Sequence, residues 1–292
     1  MIEEGTGEAS AAIAGASEVQ SVLRELDDAE RKLAEKIGEA RATLLRPRWE
    51  GDTWVFDYPS NNLNLYGKAL GAEGASALAA LLAPRQDSRG QWVFGSTIHS
   101  LQLGGTRLGD AGVTSLAESL GPRQQQPGGE WVFGSSIQSL NLEENDITNV
   151  GLKALLEEAY APRQQPDGRW SFNGNLKKLE LWSNRITCDG AKALADSILS
   201  ARQNPDHSWV FNTTLEQLTL NANRIGEGGA VALCDAMAPH DNPKRVQVVN
   251  TTLRKLDVRD NKTGQTGRSA LQRLQWRVND HRAGQKLTLL YE

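Results

Sequence analysis

Three carboxylate side chains are the first candidates for chemistry in this sequence. Glu143 and Glu144 lie together near the middle of the chain, and Glu180 occupies a similar sequence context further on. If adjacent strands brought two of these carboxylates together, the pair could act as the acid and base of a hydrolase. No other residue pattern in the sequence supports that chemistry. Solvent-exposed acidic side chains are therefore the favoured interpretation.

The remaining reactive side chains predict no catalytic, cofactor or metal site. The four histidines have neither metal-ligand spacing nor a cysteine partner. No G-x-x-x-x-G-K-[ST] loop for phosphate is present. Two cysteines are too few for a disulfide framework, and Cys234 occupies a small apolar position that predicts a buried thiol. We therefore predict a protein that is not an enzyme and needs no cofactor.

The elements that must position these side chains recur along the chain. Five Trp-x-Phe steps are separated by 38, 39, 39 and 39 residues, the differences between their residue numbers. A Leu-x-Leu step follows each of them and predicts a short strand with two inward side chains. Later Ala and Leu residues spaced three or four apart predict a helix. A strand and a helix in each unit indicate a solenoid and exclude a propeller. The steps begin at Trp54, Trp92, Trp131, Trp170 and Trp209.

This pattern resembles the ribonuclease-inhibitor type of leucine-rich repeat, found also in NOD-like receptor tails and in Ran GTPase-activating protein. The resemblance covers roughly residues 54–292. It implies a right-handed α/β horseshoe with parallel strands on the concave face and helices on the convex face. It implies protein binding without naming the partner, and regulation of a small GTPase without a residue-level match. In this type of repeat an inward asparagine bonds neighbouring backbone groups, a role that would fall to Asn145, Asn184, Asn223 and Asn261.

An insertion that ordinary repeats of this type lack precedes each Trp-x-Phe step. In PRQQPDGRWSF (162–172), a Pro-Asp-Gly centre between two extended runs predicts an edge β-hairpin. The five tryptophans would then form an aromatic row, either buried against the next unit or exposed as a platform for nucleic acid or glycan. Equal spacing without an added cationic cluster favours the buried row. The arginines of the opposite arm, placed to stack on the indoles, are Arg85, Arg123, Arg163 and Arg202.

The chain divides into three parts. Residues 1–16, rich in Ala, Gly, Ser and Glu, are predicted to be a disordered tail. Residues 17–46 carry apolar positions spaced alternately three and four, which predicts an amphipathic helix that caps the first core face. A dimeric coiled coil is the alternative for this helix. Residues 47–292 form the repeat domain of about six units, with a C-terminal cap from about residue 264.

The residues that follow or separate the paired leucines point away from the core. Trp182 stands at such a position and is the only tryptophan outside the aromatic row and the terminal regions. We predict that Trp182 is the centre of a protein-binding site on the concave face. The alternative is that its ring covers a neighbouring strand and binds nothing. The other residues predicted to form this site are Tyr66, Glu143, Glu180, Arg185, Asn221 and Arg259.

Charge is uneven along the chain. Residues 244–286 contain 11 Lys or Arg against three Asp, although the net charge of the whole chain is −4. This basic third could bind nucleic acid or an anionic surface, but a solvated end face is favoured and nucleic acid is not an expected partner. No apolar run reaches the ~20 residues of a membrane span. The sequence also shows no signal-peptide pattern. We predict a cytoplasmic protein, either a monomer or a dimer through its N-terminal helix.

Overall fold

The computed structural model describes residues 5–95, 97–241, 247–280 and 286–291, and the side chains from residue 17 onward within those ranges. Short parallel strands alternate with helices along the chain, and a two-stranded hairpin precedes each strand of the parallel sheet except the last. The predicted solenoid of strand–helix units is confirmed.

Seven strands form one parallel sheet in the described part of the chain, and their order in the sheet is their order in the sequence. The register places leucine beside leucine, as in the pairings of Leu101 with Leu140 and of Leu140 with Leu179. These side chains are buried because alternate residues of a strand point to the same face. The strands are β1 (Asn62–Asn64), β2 (Ser100–Gln102), β3 (Ser139–Asn141), β4 (Lys178–Glu180), β5 (Gln217–Thr219), β6 (Lys255–Asp257) and β7 (Thr288–Leu290).

The helices form the second layer. Each helix from α3 onward packs against its neighbour in the chain. Helices α5 and α6 continue into π-helical turns at Leu155–Tyr160 and Ala195–Leu199. Leu155 and Leu194 are fully buried, so the core lies between the helices and the sheet. The helices are α1 (Gly5–Ile37), α2 (Glu39–Leu45), α3 (Gly71–Leu82), α4 (Gly109–Leu120), α5 (Asn149–Ala154), α6 (Cys188–Leu194), α7 (Gly226–Ala236) and α8 (Gly264–Asp280).

The hairpins form at every predicted insertion. Their arms are antiparallel and short, and a sixth hairpin forms where the tryptophan is missing, between His240–Asp241 and Gln247–Val248. The arms of the first five are Arg48–Glu50 with Thr53–Val55, Arg85–Gln86 with Trp92–Val93, Arg123–Gln124 with Trp131–Val132, Arg163–Gln164 with Trp170–Ser171, and Arg202–Gln203 with Trp209–Val210.

The N-terminal helix differs from the prediction at both ends. Helix α1 begins at Gly5, within the stretch for which we predicted a disordered tail, and residues 1–4 lie outside the described chain. Alanine, the commonest residue of this stretch, is the strongest helix former. The predicted helix over 17–46 is interrupted at Gly38, whose φ of 91° lies in a region that favours glycine. Helix α1 packs against α3 and buries Leu26 and Leu33.

Buried asparagines connect successive units. The Asn184 amide nitrogen donates to the carbonyl of Leu142 in the preceding unit at 3.0 Å. Its amide oxygen accepts from the Ile147 backbone N–H, also at 3.0 Å. Thr106 occupies the position in the second unit, and its hydroxyl donates to the Leu103 carbonyl at 2.6 Å. These bonds satisfy backbone groups that would otherwise be buried without partners. The same pattern recurs at Asn145, Asn223 and Asn261.

Candidate functional site

The exposed side of the sheet, which we call the concave face, carries two columns of side chains in register. Strand pairing aligns the first column directly. The second column is aligned by hydrogen bonds. The backbone carbonyl of each of its members after the first accepts a hydrogen bond from a backbone N–H of the preceding unit. The first column is Asn64, Gln102, Asn141, Glu180, Thr219 and Asp257. The second is Tyr66, Gly104, Glu143, Trp182, Asn221 and Arg259.

At the N-terminal end of the second column, Tyr66 and Glu143 meet over Gly104. A Cβ atom at Gly104 would lie 2.6 Å from Tyr66 Cε2 and 2.7 Å from Glu143 Cγ, so only glycine leaves room for both neighbours. Glu143 is only 7% exposed, whereas Tyr66 is 49% exposed. The structure therefore brings together two predicted site residues that are 77 positions apart in sequence, the difference between their numbers.

The electrostatics of this contact favour a neutral tyrosine. The negative charge of Glu143 is the largest cause that raises the pKa of Tyr66, and the charge of Glu144 is the second. A hydrogen bond between the Tyr66 hydroxyl and the Glu143 side chain contributes in the same direction. Because an ionised phenol would face two carboxylates, the Tyr66 hydroxyl keeps its proton beside Glu143.

Trp182 lies half-buried one strand beyond Glu143. Its carbonyl accepts the backbone N–H of Glu144 at 3.2 Å and the side-chain amide of Asn184 at 3.3 Å. Both bonds fix the backbone that carries the indole. The ring is therefore presented from a rigid strand end, which is the kind of support that a binding residue requires.

The carboxylate of Glu180 already has a partner within the fold. Lys178, two residues earlier on the same strand, places its Nζ 3.0 Å from Glu180 Oε1. Glu143 is engaged instead by Tyr66. Two of the three candidate carboxylates, those of Glu180 and Glu143, thus contact different neighbours.

The other predicted site residues are distributed along the concave face. Arg185 pairs with Asp146 at 2.6 Å on the loop beyond the sheet. Arg259 forms two bonds to Asp257, of 3.0 and 2.7 Å, and this hydrogen bonding raises its pKa. Asn221 is half-buried between Trp182 and Arg259 in the second column. At a strand spacing of about 4.8 Å, Arg259 lies ~10 Å from Trp182 and Tyr66 lies ~14 Å from it on the other side. The set forms a continuous surface and no enclosed pocket.

Two residues that the sequence analysis did not select also contribute to this face. Gly104 makes the contact between Tyr66 and Glu143 possible, and a glycine in a column of larger residues was the available signal. Thr219 is 7% exposed, and its hydroxyl finds no hydrogen-bond partner among the described residues. No sequence pattern marks that hydroxyl, because its lack of a partner depends on the neighbouring strands.

The aromatic row lies at the hairpin edge and contacts the next hairpin in each case. The guanidinium of each arginine lies over the indole of the preceding hairpin, with Cζ–centroid distances between 5.3 and 5.7 Å. Trp54 is buried and the other four rings are half-buried. His240 takes the place of arginine over Trp209, with ring centroids 4.4 Å apart. These contacts support the structural interpretation of the row. The arginine–tryptophan pairs are Arg85–Trp54, Arg123–Trp92, Arg163–Trp131 and Arg202–Trp170.

In the described part of the basic C-terminal third, two arginines have acidic partners. Arg254 pairs with Glu216 at 3.2 Å, and Arg259 pairs with Asp257. Lys244 and Arg245 lie outside the described residues. Among the residues that are described, no three His, Cys, Asp or Glu side chains are placed to hold a metal ion. None of the helices in those ranges combines the length and apolar character that a membrane crossing requires.

Comparison with known proteins gives a matching family model and likenesses to solved structures. The family model described as leucine-rich repeat matches residues 96–117, 135–156, 172–195, 211–234 and 249–271. No curated protein matches the sequence. Among solved structures, the chain is similar to actin-binding site 2 of leiomodin-1, with 21% identity over 53% of this chain and 70% of that chain. The TM-score is 0.37, so this likeness carries no argument about function.

Proposed function

Because the chain is a leucine-rich-repeat protein, we propose that it is a non-enzymatic interaction module that binds a protein partner on its concave face, with Trp182 at the centre. One observation carries the proposal. Trp182 is a half-buried indole on a face where no described helix or hairpin covers the sheet, and its backbone is fixed by two inter-residue bonds. Large aromatic side chains on rigid supports are the residues that dominate binding energies at protein interfaces.

The rigidity of the face supports the same proposal. Buried asparagines and the parallel sheet join each unit to the next, so the two columns are in place before a partner arrives. A surface that is ordered in advance loses little conformational entropy on binding. The face also varies from unit to unit, from Tyr66 through Glu143 to Arg259, which allows a partner to be distinguished by its sequence.

Affinity capture with matched tryptophan variants tests the proposal. Trp276 is a suitable control because it lies on helix α8, outside the parallel sheet, and is 72% exposed. We expect the intact chain and Trp276→Ala to recover a common partner that Trp182→Ala loses. With the purified partner, Trp182→Ala should raise the dissociation constant about 30-fold, which is the loss of affinity typical of a central aromatic residue. Equal recovery by Trp182→Ala, or equal loss in both variants, would contradict the proposal.

We further propose a cytoplasmic location. The three N-x-T sequons of the chain have buried asparagines: Asn212 is 5% exposed, Asn250 3% and Asn261 1%. Asn261 donates to the Leu220 carbonyl at 2.8 Å, so its amide is used by the fold and is not free to carry a glycan. Fluorescence microscopy of a tagged chain checks this, and a signal confined to the secretory pathway would contradict it.

A further inference from the structure

Resting on the proposed function, we propose that the N-terminal half of the concave face binds a positively charged side chain of the partner. Glu143 and Glu144 would pair with the arginine or lysine, and the ring of Tyr66 would lie against its cationic head. The partner segment at this point is therefore basic and extended.

Ion pairs are unevenly distributed along the concave face. In the C-terminal half of the face, Glu180 pairs with Lys178 and Asp257 pairs with Arg259. Glu143 and Glu144 have no cationic partner within the described ranges, although they stand side by side. Glu143 and Glu144 therefore present about two negative charges that no ion pair within the described ranges compensates. A partner with the opposite charge is the complement of such a surface.

The burial of Glu143 favours a cationic partner. Glu143 is 7% exposed, and a carboxylate that is removed from water without a cation is costly. The Tyr66 hydroxyl supplies a hydrogen bond but no positive charge. A bound guanidinium or ammonium would supply that charge. Because the surrounding fold already excludes water from Glu143, the pairing would not lose the solvation that weakens ion pairs between exposed side chains.

The backbone that carries Glu143 and Glu144 is held in position. The backbone N–H of Glu143 donates to Asn141 Oδ1 at 2.9 Å, and that of Glu144 donates to the Trp182 carbonyl at 3.2 Å. Glu144 adopts a φ of 52° in the turn after β3, where it sits beside Gly105. The two carboxylates therefore start from fixed backbone positions. Tyr66, 49% exposed, adds an aromatic ring beside them, and rings of this kind attract cations through their faces.

An unpaired group further along the face indicates that the partner segment continues. The Thr219 hydroxyl is buried without a hydrogen-bond partner in the described chain. It lies on β5, two strands beyond the strand that leads into Glu143, which is ~10 Å at ordinary strand spacing. An extended segment covers that distance in about three residues. Its backbone could satisfy Thr219 while its basic side chain occupies the Glu143–Glu144 position.

Peptide binding tests the inference directly. The probe is a fluorescein-labelled octapeptide of alternating arginine and glycine, compared with the same peptide carrying glutamate for arginine, by fluorescence anisotropy. The test variant is Glu143→Gln with Glu144→Gln. The matched control is Glu157→Gln with Glu158→Gln, an adjacent pair of exposed glutamates at the end of the helix layer. Thermal unfolding of both variants establishes that they fold like the intact chain.

We expect the arginine peptide to bind the intact chain and the control variant alike, and to bind the test variant about 10-fold more weakly. The glutamate peptide should not bind. Equal weakening in both variants would show a general effect of net charge and would overturn the inference. Failure of the arginine peptide to bind the intact chain would overturn it as well.

Recovery of the captured partner by the two variants distinguishes failure of the cation site from failure of the proposed function. If Trp182→Ala loses the partner while Glu143→Gln with Glu144→Gln keeps it at full strength, the cation site is wrong and the interaction module stands. If Trp182→Ala keeps the partner, the proposed function itself is wrong. If both variants lose the partner and the glutamate control keeps it, both are supported.

Discussion

Arg123 lies over the indole of Trp92, with its Cζ 5.7 Å from the ring centroid, although the two residues belong to successive hairpins. The Trp92 indole N–H donates to the Gln124 carbonyl of the same later hairpin at 2.8 Å. The contact therefore has an electrostatic and a hydrogen-bonded part. Burial lowers the pKa of Arg123, and the nearby Glu158 and Glu118 oppose that effect. Contacts along the hairpin edge therefore join successive units, in addition to the hydrophobic core and the buried asparagines.

Replacement of Arg123 tests this attachment. Its guanidinium also donates hydrogen bonds to two backbone carbonyls: that of Glu118 in the last turn of α4, at 2.6 Å, and that of Pro122 just after the helix, at 3.1 Å. We expect Arg123→Ala to lower the free energy of unfolding by about 2 kcal/mol, because a ring contact and several hydrogen bonds are lost. Arg123→Lys should retain less than half of that contribution to the free energy of unfolding, since an ammonium group lacks the planar shape and the paired N–H donors of a guanidinium. Urea denaturation measures both, and Lys153→Ala, at an exposed position of α5, is the control.

Replacement of a tryptophan in the row tests the other half of the contact. We expect Trp131→Ala to lower the free energy of unfolding by about 3 kcal/mol, because a half-buried ring and the contact with Arg163 are lost. Trp276→Ala, which removes a ring that is 72% exposed, should change it by less than ~0.5 kcal/mol. Chemical denaturation followed by circular dichroism gives both values. Equal midpoints for the two variants would show that the row is not structural.

The asparagine positions predict an order of stability among substitutions. Asn184→Ala leaves the Leu142 carbonyl and the Ile147 N–H without their side-chain partner, so we expect a loss of about 3 kcal/mol. Asn184→Thr should lose less, because Thr106 shows that a hydroxyl at this position can donate to the strand carbonyl. Thermal unfolding checks the order. A threonine variant as unstable as the alanine variant would contradict this account.

The buried thiol of Cys234 and the buried phenol of Tyr160 predict a loss of stability in alkaline solution. Burial raises the pKa of Cys234 from 9.0 to about 12, and it also raises the pKa of Tyr160. The unfolded chain ionises these groups first, so it binds fewer protons than the folded chain above pH 9. Stability is then fully present below pH 9 and falls as pH rises toward 12. At pH 10, Cys234 accounts for a loss of about 1 kcal/mol in the free energy of unfolding.

Denaturation at pH 8 and pH 10 measures this share, with Cys234→Ala as the test variant. Alanine is the residue at the equivalent helix position 195, so it fits the site. The fall in stability between the two pH values should be smaller in Cys234→Ala by about 1 kcal/mol. Cys188→Ala is the control, because Cys188 is only half-buried. An identical fall in all three proteins would show that another group is responsible.

The period, the strands, the helices, the hairpins and the inward asparagines were all predictable from sequence. Each depends on residues that lie within one unit of about 39 positions, where alternation and helical spacing act over a few neighbours. Leu179 and Leu181 point inward because a strand alternates, whatever lies beside it. The extent of α1 was less predictable, since alanine and glutamate suit both a tail and a helix.

Contacts between units were decided only by the tertiary structure. The sequence placed Arg123 on a hairpin arm, but the offset between neighbouring units puts its guanidinium over Trp92 of the hairpin before it. The meeting of Tyr66 with Glu143 depends on the missing side chain at Gly104 in the unit between them. Side chains on adjacent strands come within contact distance only after stacking aligns the units. For that reason the sequence determined the solenoid, while its three-dimensional packing determined which charges on the concave face remain free.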